Sequence, residues 1–380
     1  MGAPGFLPCL HGRGISEGVR AVRRAPWVAG LAAVVVLAAR PLAAQDSTAV
    51  LRGVVMDTAG TRVPYALVRV LPAGTERFTD ARGAFVFTAL PLGAYRVQAR
   101  QVGYEPFESA VSLRAEGAAL RIALRPLDIR LEELTVTVPG RCTAPGPPDP
   151  GTAPALAAIF AQLRENARRF AVLADSYPFQ FFIERTFTNV TGRGAVRTVA
   201  TDTVDYQSSA RVRYRPGEVI GWGTDPQGGR ARAIQLPSLP DLADSAFIAN
   251  HCFAFGGLVD RDGRRFLRVS FRAGEGLRTP DVDGDADLDP DSYQLRTLTI
   301  HLTRPNRAMP GLASASATVQ LTELYSNLIV PGSVQGILEP IIDGRFWNGI
   351  TRYVDVQRLL RIHFLRTQPT DSTPSPQPSP

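Results

Sequence analysis

Apolar residues fall on every second position along most of this chain, and one segment alone departs from that rhythm. Leu51, Gly53 and Val55 share one side of an extended run; Ala66, Val68 and Val70 share the next. Phe85 and Phe87 follow, then Tyr95, Val97 and Ala99, then Leu120, Ile122 and Leu124. Gly, Pro and Asp punctuate these runs at intervals of roughly 8–12 residues, which predicts a β-sandwich over residues 48–138. Further along, Phe179, Phe181 and Ile183, then Leu267, Val269 and Phe271, then Leu298, Ile300 and Leu302, then Val319 and Leu321 alternate with polar neighbours. One apolar face and one polar face predict an antiparallel sheet solvated on one side.

The exception begins at Thr152 and Pro154. Leu156, Ile159, Phe160, Leu163, Ala167 and Phe170 recur at helical spacing, while Arg164, Glu165, Arg168 and Arg169 occupy the opposite face. This predicts an amphipathic helix of about five turns packed on the sheet; a helix lying on a membrane surface is the other reading of its basic side. The fold class is mainly β: a sandwich, then an α+β domain at 155–366 with a curved antiparallel sheet and one long amphipathic helix. Residues 139–154 hold six prolines and three glycines and read as a linker. The Pro-, Ser- and Thr-rich stretch 367–380 reads as a disordered tail.

Residues 1–44 read as a secretory signal. Arg20, Arg23 and Arg24 precede an apolar run from Val28 to Ala39, and small residues close it at Ala43-Ala44. The run falls short of the roughly 20 residues a spanning helix needs, so cleavage leaves no transmembrane segment. Residues 1–18 fit no part of a signal, and a start assigned too far upstream would account for them. Gly14-Ile15-Ser16-Glu17-Gly18 matches the nucleophile-elbow pattern but lies in this removed stretch, without the strand and helix the elbow requires. The expected location is the periplasm or the outer membrane.

Composition narrows the chemistry. The formal charge of +7 falls to about +3 without the leader, which removes five arginines and Glu17 and weakens any case for nucleic acid. The chain contains no lysine, which excludes lysine Schiff-base chemistry and a phosphate-loop lysine. Beyond the leader two cysteines remain, Cys142 and Cys252, and in an oxidising compartment they read as one disulfide. A redox or metal-binding pair is the alternative reading.

The residues between the first strands carry a resemblance. Gly53-Val54-Val55, Ala66-Leu67-Val68, Thr79-Asp80-Ala81-Arg82-Gly83-Ala84-Phe85, Leu90-Pro91-Leu92-Gly93-Ala94-Tyr95 and Gly103-Tyr104 stand in the order of a carboxypeptidase regulatory-like domain. The resemblance implies a seven-stranded sandwich of the carbohydrate-binding-like fold, of the kind found at the N-terminus of TonB-dependent receptors. Leu131–Val138 is similar to the short segment that pairs with TonB there; the other reading is a last sandwich strand. The zinc peptidases associated with such domains need an H-x-x-E pair, and His251, His301 and His363 stand in no such pair. The second half, around His251-Cys252-Phe253, Arg268–Phe271 and Gly284–Leu298, resembles uncharacterised secreted bacterial proteins, and its long strands with one helix suggest the half-open sheet of periplasmic lipoprotein carriers.

Three groups of residues invite a site. Asp281, Asp283, Asp285, Asp287 and Asp289 alternate in a way that suggests a calcium loop, although Ala286 and Ser292 stand where an EF-hand has Gly and Glu, and Pro290 interrupts; the other reading is an acidic hairpin loop. His251 beside Cys252 suggests a nucleophile pair, but neighbours in a strand point to opposite faces. Phe346 and Trp347 near Asp343 suggest a cleft or core packing. No catalytic constellation emerges and no cofactor beyond calcium. The expected function is non-catalytic binding in the envelope, with the sandwich as a docking module and the C-terminal sheet domain as the surface for a protein partner, carbohydrate, lipid or lipoprotein, and no nucleic acid; a carboxylate-based hydrolase of envelope glycans and a partner of TonB-type transport are the alternatives.

Overall fold

A computed structural model describes residues 5–8, 47–129, 140–206, 213–224, 230–341 and 349–365. The leader beyond 5–8, the TonB-box-like segment 131–138, the Phe346–Trp347 pair and the tail 367–380 lie outside the described residues. Gly5–Pro8 (β1) pairs in parallel with a strand of the second domain, Arg230–Leu236.

The sandwich has the seven strands expected. Thr48–Asp57 (β2), Leu67–Leu71 (β3), Thr75–Phe78 (β4), Ala84–Pro91 (β5), Gly93–Arg100 (β6), Phe107–Leu113 (β7) and Ala118–Leu124 (β8) form two sheets, β5-β2-β8 and β4-β3-β6-β7. Leu51, Val55, Val68, Val70, Phe85, Phe87, Val97, Ile122 and Leu124 fill the space between them. The motif residues have identifiable duties. Asp80 Oδ1 accepts from the backbone N–H groups of Arg82 and Ala84, at 2.8 Å each, which closes the turn into β5. Gly83 completes that turn at φ +72°, where a Cβ would lie 2.5 Å from the Val55 carbonyl. At Gly53 a Cβ would lie 2.5 Å from the Phe85 ring, so this glycine makes room for the aromatic core residue. Tyr95 is buried and donates its hydroxyl to the Pro91 carbonyl at 2.7 Å.

The second domain is built on a nine-stranded antiparallel sheet. Its strands are Phe179–Thr191 (β9), Gly194–Tyr206 (β10), His251–Arg261 (β13), Arg264–Ala273 (β14), Val282–Leu288 (β15), Leu295–Leu302 (β16), Leu312–Tyr325 (β17), Leu328–Pro340 (β18) and Ile350–Phe364 (β19). The order β10-β9-β19-β18-β17-β16-β15-β14-β13 is a meander whose last strand returns to pair with its first hairpin. Ile220–Thr224 (β11) and Arg230–Leu236 (β12) form a small separate sheet with β1. A 3₁₀ turn at Leu239–Ala243 leads into the short helix Ser245–Ala249 (α2).

The long helix (α1) runs from Pro154 to Ser176, with proline in its first turn where a missing N–H costs nothing. Ile159, Phe160, Leu163, Ala167, Phe170 and Leu173 pack into the same core as Phe179, Phe181, Val269, Phe271 and Ile300 of the sheet. The expected polar face differs from the prediction. Arg164 is exposed, but Gln162, Glu165, Asn166 and Arg169 are buried. The sandwich covers them: Tyr65, Leu67, Phe78 and Val102 belong to the α1 core. Helix α1 is therefore wedged between the two domains. Among the described residues no helix is long and apolar enough to cross a membrane.

The linker is also more firmly held than its composition suggested. Cys142 and Cys252 are joined, with Cα atoms 5.5 Å apart. The backbone of Gly146 donates to the His251 carbonyl, and that of Glu275 donates to the Cys142 carbonyl. Residues 140–153 are thus strapped to the β13 edge of the large sheet.

Candidate functional site

The seam between the domains brings charge together. Arg169, 2% exposed on α1, donates to the Tyr65 carbonyl of the sandwich and, at 3.1 Å, to the Asn327 carbonyl of the β17–β18 hairpin. Its guanidinium also lies 5.2 Å from the centre of the Phe78 ring. Burial pushes Arg169 down to about 10, against the pull of Glu165, so it stays charged at neutral pH. Asn327 reaches the Pro64 carbonyl at 3.3 Å, and Tyr65 stacks on Tyr325. Gly103, at φ +83°, donates its N–H to Gln162 on α1 at 2.8 Å.

Beside these contacts opens a cavity of about 690 Å³. Arg100 from β6, Arg164 and Arg168 from α1, and Arg213 ahead of β11 line it together with Asp175 and Asp244. Two of the arginines are held from behind. Arg100 Nε lies 2.9 Å from the buried Glu165 carboxylate, and Arg168 bonds to Glu76, which Arg69 also approaches at 3.3 Å. Arg164 and Arg213 make no ion pair among the described residues. Asp244 caps α2 by accepting from the Ala246 N–H through one oxygen, at 2.8 Å. A second cavity of about 640 Å³ shares Arg213 and Asp244 and continues past Tyr214 and Arg215. The two spaces form a groove along the 3₁₀ turn and α2, charged at the first cavity and mixed at the second, where Val219 and Leu236 join the lining.

The sandwich at this seam is of a known kind. Residues 50–125 match the carboxypeptidase regulatory-like domain family. A search of curated proteins finds no match to the chain. Among solved structures the chain is similar to a protein described as an outer membrane lipoprotein-sorting protein domain from Vibrio parahaemolyticus, with 9% identity, TM-score 0.32, 54% of this chain and 93% of that one covered. A DUF1329 family protein from Desulfovibrio piger gives 10% identity, TM-score 0.32, and coverage of 54% and 93%. A LolA superfamily protein from Nitrosomonas europaea gives 10% identity, TM-score 0.29, and coverage of 56% and 97%. At these scores no argument about function passes from those proteins to this one.

The acidic run is not the loop expected from the sequence. Val282–Leu288 is an inner strand of the sheet, and its register sets the aspartates opposite arginine and hydroxyl groups. Asp287, 1% exposed, accepts from Arg268 Nε at 2.7 Å and Nη2 at 2.9 Å, and from the side of Arg261 at 2.8 Å. Gly256 makes this fork possible, since a Cβ there would lie 2.7 Å from the Arg268 stem. Asp285 accepts from Ser270 and Asp283 from the Ala273 N–H. Asp289 caps its own turn by accepting from Asp291 and Ser292. Asp281 is buried and accepts from Tyr214, Gly217 and Val282. Alternation along an extended strand spreads the carboxylates out instead of curling them round an ion. Among the described residues no three His, Cys, Asp or Glu groups are placed to hold a metal ion.

His251 is likewise committed. Its ring stacks on Phe247 at 3.9 Å, and its nitrogens face the Phe247 and Val282 carbonyls at 2.8 and 3.0 Å. Its sequence neighbour Cys252 is held in the disulfide, so the pair is structural. Burial, with Asp281 next to it, raises Tyr214 well above the ordinary phenol range, which keeps that hydroxyl a donor. Of the residues that line the seam groove, Arg164, Glu165 and Arg168 of α1 were singled out in the sequence as a polar helix face. Arg100, Arg213 and Asp244 come from separate elements and carried no local signal.

Proposed function

We propose that this chain is an exported, non-catalytic binding protein of the cell envelope, in which the regulatory-like sandwich and the sheet domain act as one body and the seam between them receives a polar ligand. The observation that carries this reading is the double burial of α1. One side of the helix fills the apolar face of the sheet, the other is capped by the sandwich, and the arginine-lined groove opens where the two domains meet. A cradle for lipid would need that apolar face to be open, and α1 together with Leu239, Leu242, Phe247 and Ile248 already packs on it. A hydrolase would need two free carboxylates facing each other. Asp281 and Asp287 are instead buried and bonded, Glu165 is ion-paired, and of the two aspartates in the groove wall Asp244 spends an oxygen on the cap of α2 while Asp175 is engaged elsewhere.

The test is direct. Expressed with its leader, the protein should be recovered from the envelope fraction with both thiols oxidised. The purified chain should bind immobilised envelope glycans and not phospholipid vesicles. Stoichiometric phospholipid carried through purification, detected by mass spectrometry, would overturn the reading.

A further inference from the structure

We infer that the seam groove is a site for an acidic sugar, meaning an anionic phosphate or carboxylate flanked by hydroxyl groups. The inference deepens the binding reading above and rests on it. The anionic part follows from the arginines. Four guanidinium groups line the first cavity, and the carboxylates Glu165 and Glu76 fix the outlook of two of them. An arginine anchored through one edge keeps donors for a second acceptor, and its planar fork suits phosphate and carboxylate oxygens. Arg164 and Arg213 are exposed in the lining, have no ion partners among the described residues, and supply the charge for the anion.

The hydroxyls follow from an acid. Asp244 stands on the same wall and spends one oxygen on its helix cap, which leaves the other to accept. A bare anion would be repelled there, whereas a hydroxyl next to the anion donates to it. Size agrees. A space of about 690 Å³ far exceeds an inorganic anion and lies in the range of small-ligand sites. The adjoining cavity past Arg213 would admit a second sugar unit. Ala171, Pro240 and Ala243 supply the apolar part of the lining.

The experiment is isothermal titration calorimetry of the full mature chain with four probes: glucose 6-phosphate, glucuronate, inorganic phosphate and glucose. The phosphorylated or carboxylated sugar should bind at least tenfold more tightly than phosphate or glucose, and more weakly as salt rises. Arg164→Ala with Arg213→Ala should weaken it at least tenfold with unchanged melting. Ala171→Phe should block the groove sterically with the charges intact. Equal affinity for phosphate and glucose 6-phosphate, displacement of the sugar by an acidic peptide at equal concentration, undiminished binding by both variants, or no binding of either acidic sugar would each overturn the inference. A glycan array separates the two levels. Array binding that survives both variants refutes the groove and leaves the binding reading standing, while an array with no bound glycan at all refutes both.

Discussion

Replacing Arg169 with alanine should loosen the two domains together, because this side chain ties three separate segments to one another. It donates to the Tyr65 carbonyl of the sandwich and the Asn327 carbonyl of the β17–β18 hairpin, from the middle of α1. Hydrogen bonds from a charged donor contribute about 1.5–3 kcal/mol each, and a buried acceptor left alone costs about 1–3 kcal/mol. The cost of burying the cation is recovered on removal, which offsets part of this. Glu165 keeps Arg100 at 2.9 Å and so is not left unpaired. The vacated volume under Phe78 adds a cavity term. A net loss of about 3–4 kcal/mol results. Urea unfolding followed by near-ultraviolet circular dichroism should show a midpoint lower by about 1 M, for an m-value near 3 kcal/mol/M. Arg169→Met, which fills the space and omits the donors, should recover less than half of the loss. A midpoint shift below about 0.3 M for Arg169→Ala would refute the view that the seam is part of one folding unit.

Four further outcomes follow from the same geometry. Asp287→Ala should destabilise by about 2–3 kcal/mol, since it strands Arg268 and Arg261 in partly solvated positions; a chelator should leave the wild-type melting temperature unmoved, and a chelator-induced drop would restore the calcium reading. Removing both Cys142 and Cys252 by serine replacement should cost roughly 2–5 kcal/mol for a bridge that closes a loop of 110 residues, and free thiols in the purified exported protein would remove the bridge from the account. For Asp289, burial pushes the carboxyl up, but hydrogen bonds from Ser292 and Asp291 together with Arg296 outweigh it and hold it below the ordinary 3.8. Its stabilising contribution is present above that value and is lost as pH falls through the depressed one, so Asp289→Asn should flatten the urea midpoint's decline as pH falls below 3.8, and an unchanged slope would sink the assignment.

How far the sequence carried depends on whether the cue was local. The sandwich was legible because its turns are written in adjacent residues: Asp80 bonds to Arg82 and Ala84, and Gly83 takes the positive φ between them. The alternation at Phe179–Ile183, Leu267–Phe271 and Leu298–Leu302 likewise names its buried face without help from elsewhere. The acidic run misled for a physical reason. Carboxylates at every second residue fit a cation-binding loop and also a strand whose neighbour carries arginines, and only the β14–β15 register, Arg268 opposite Asp287, decides between them. Helix α1 misled in the opposite direction. Glu165 and Arg169 look like a solvated face, and nothing within the helix announces that a second domain will cover them.

That covering has a consequence for what the regulatory-like domain does here. A docking module on a flexible linker would expose its binding face to outside partners. In this chain Tyr65, Phe78 and Gly103 of the sandwich are spent on α1 and the β17–β18 hairpin, and the linker is strapped down by Cys142. Gly103 belongs to the family motif, yet the open N–H it presents is used for Gln162 of the neighbouring domain. On the proposed reading the sandwich is a wall of the site and not an independent adaptor, because detaching it would bare a buried arginine and a buried glutamate and leave the Tyr65 and Pro64 carbonyls without their partners in one step.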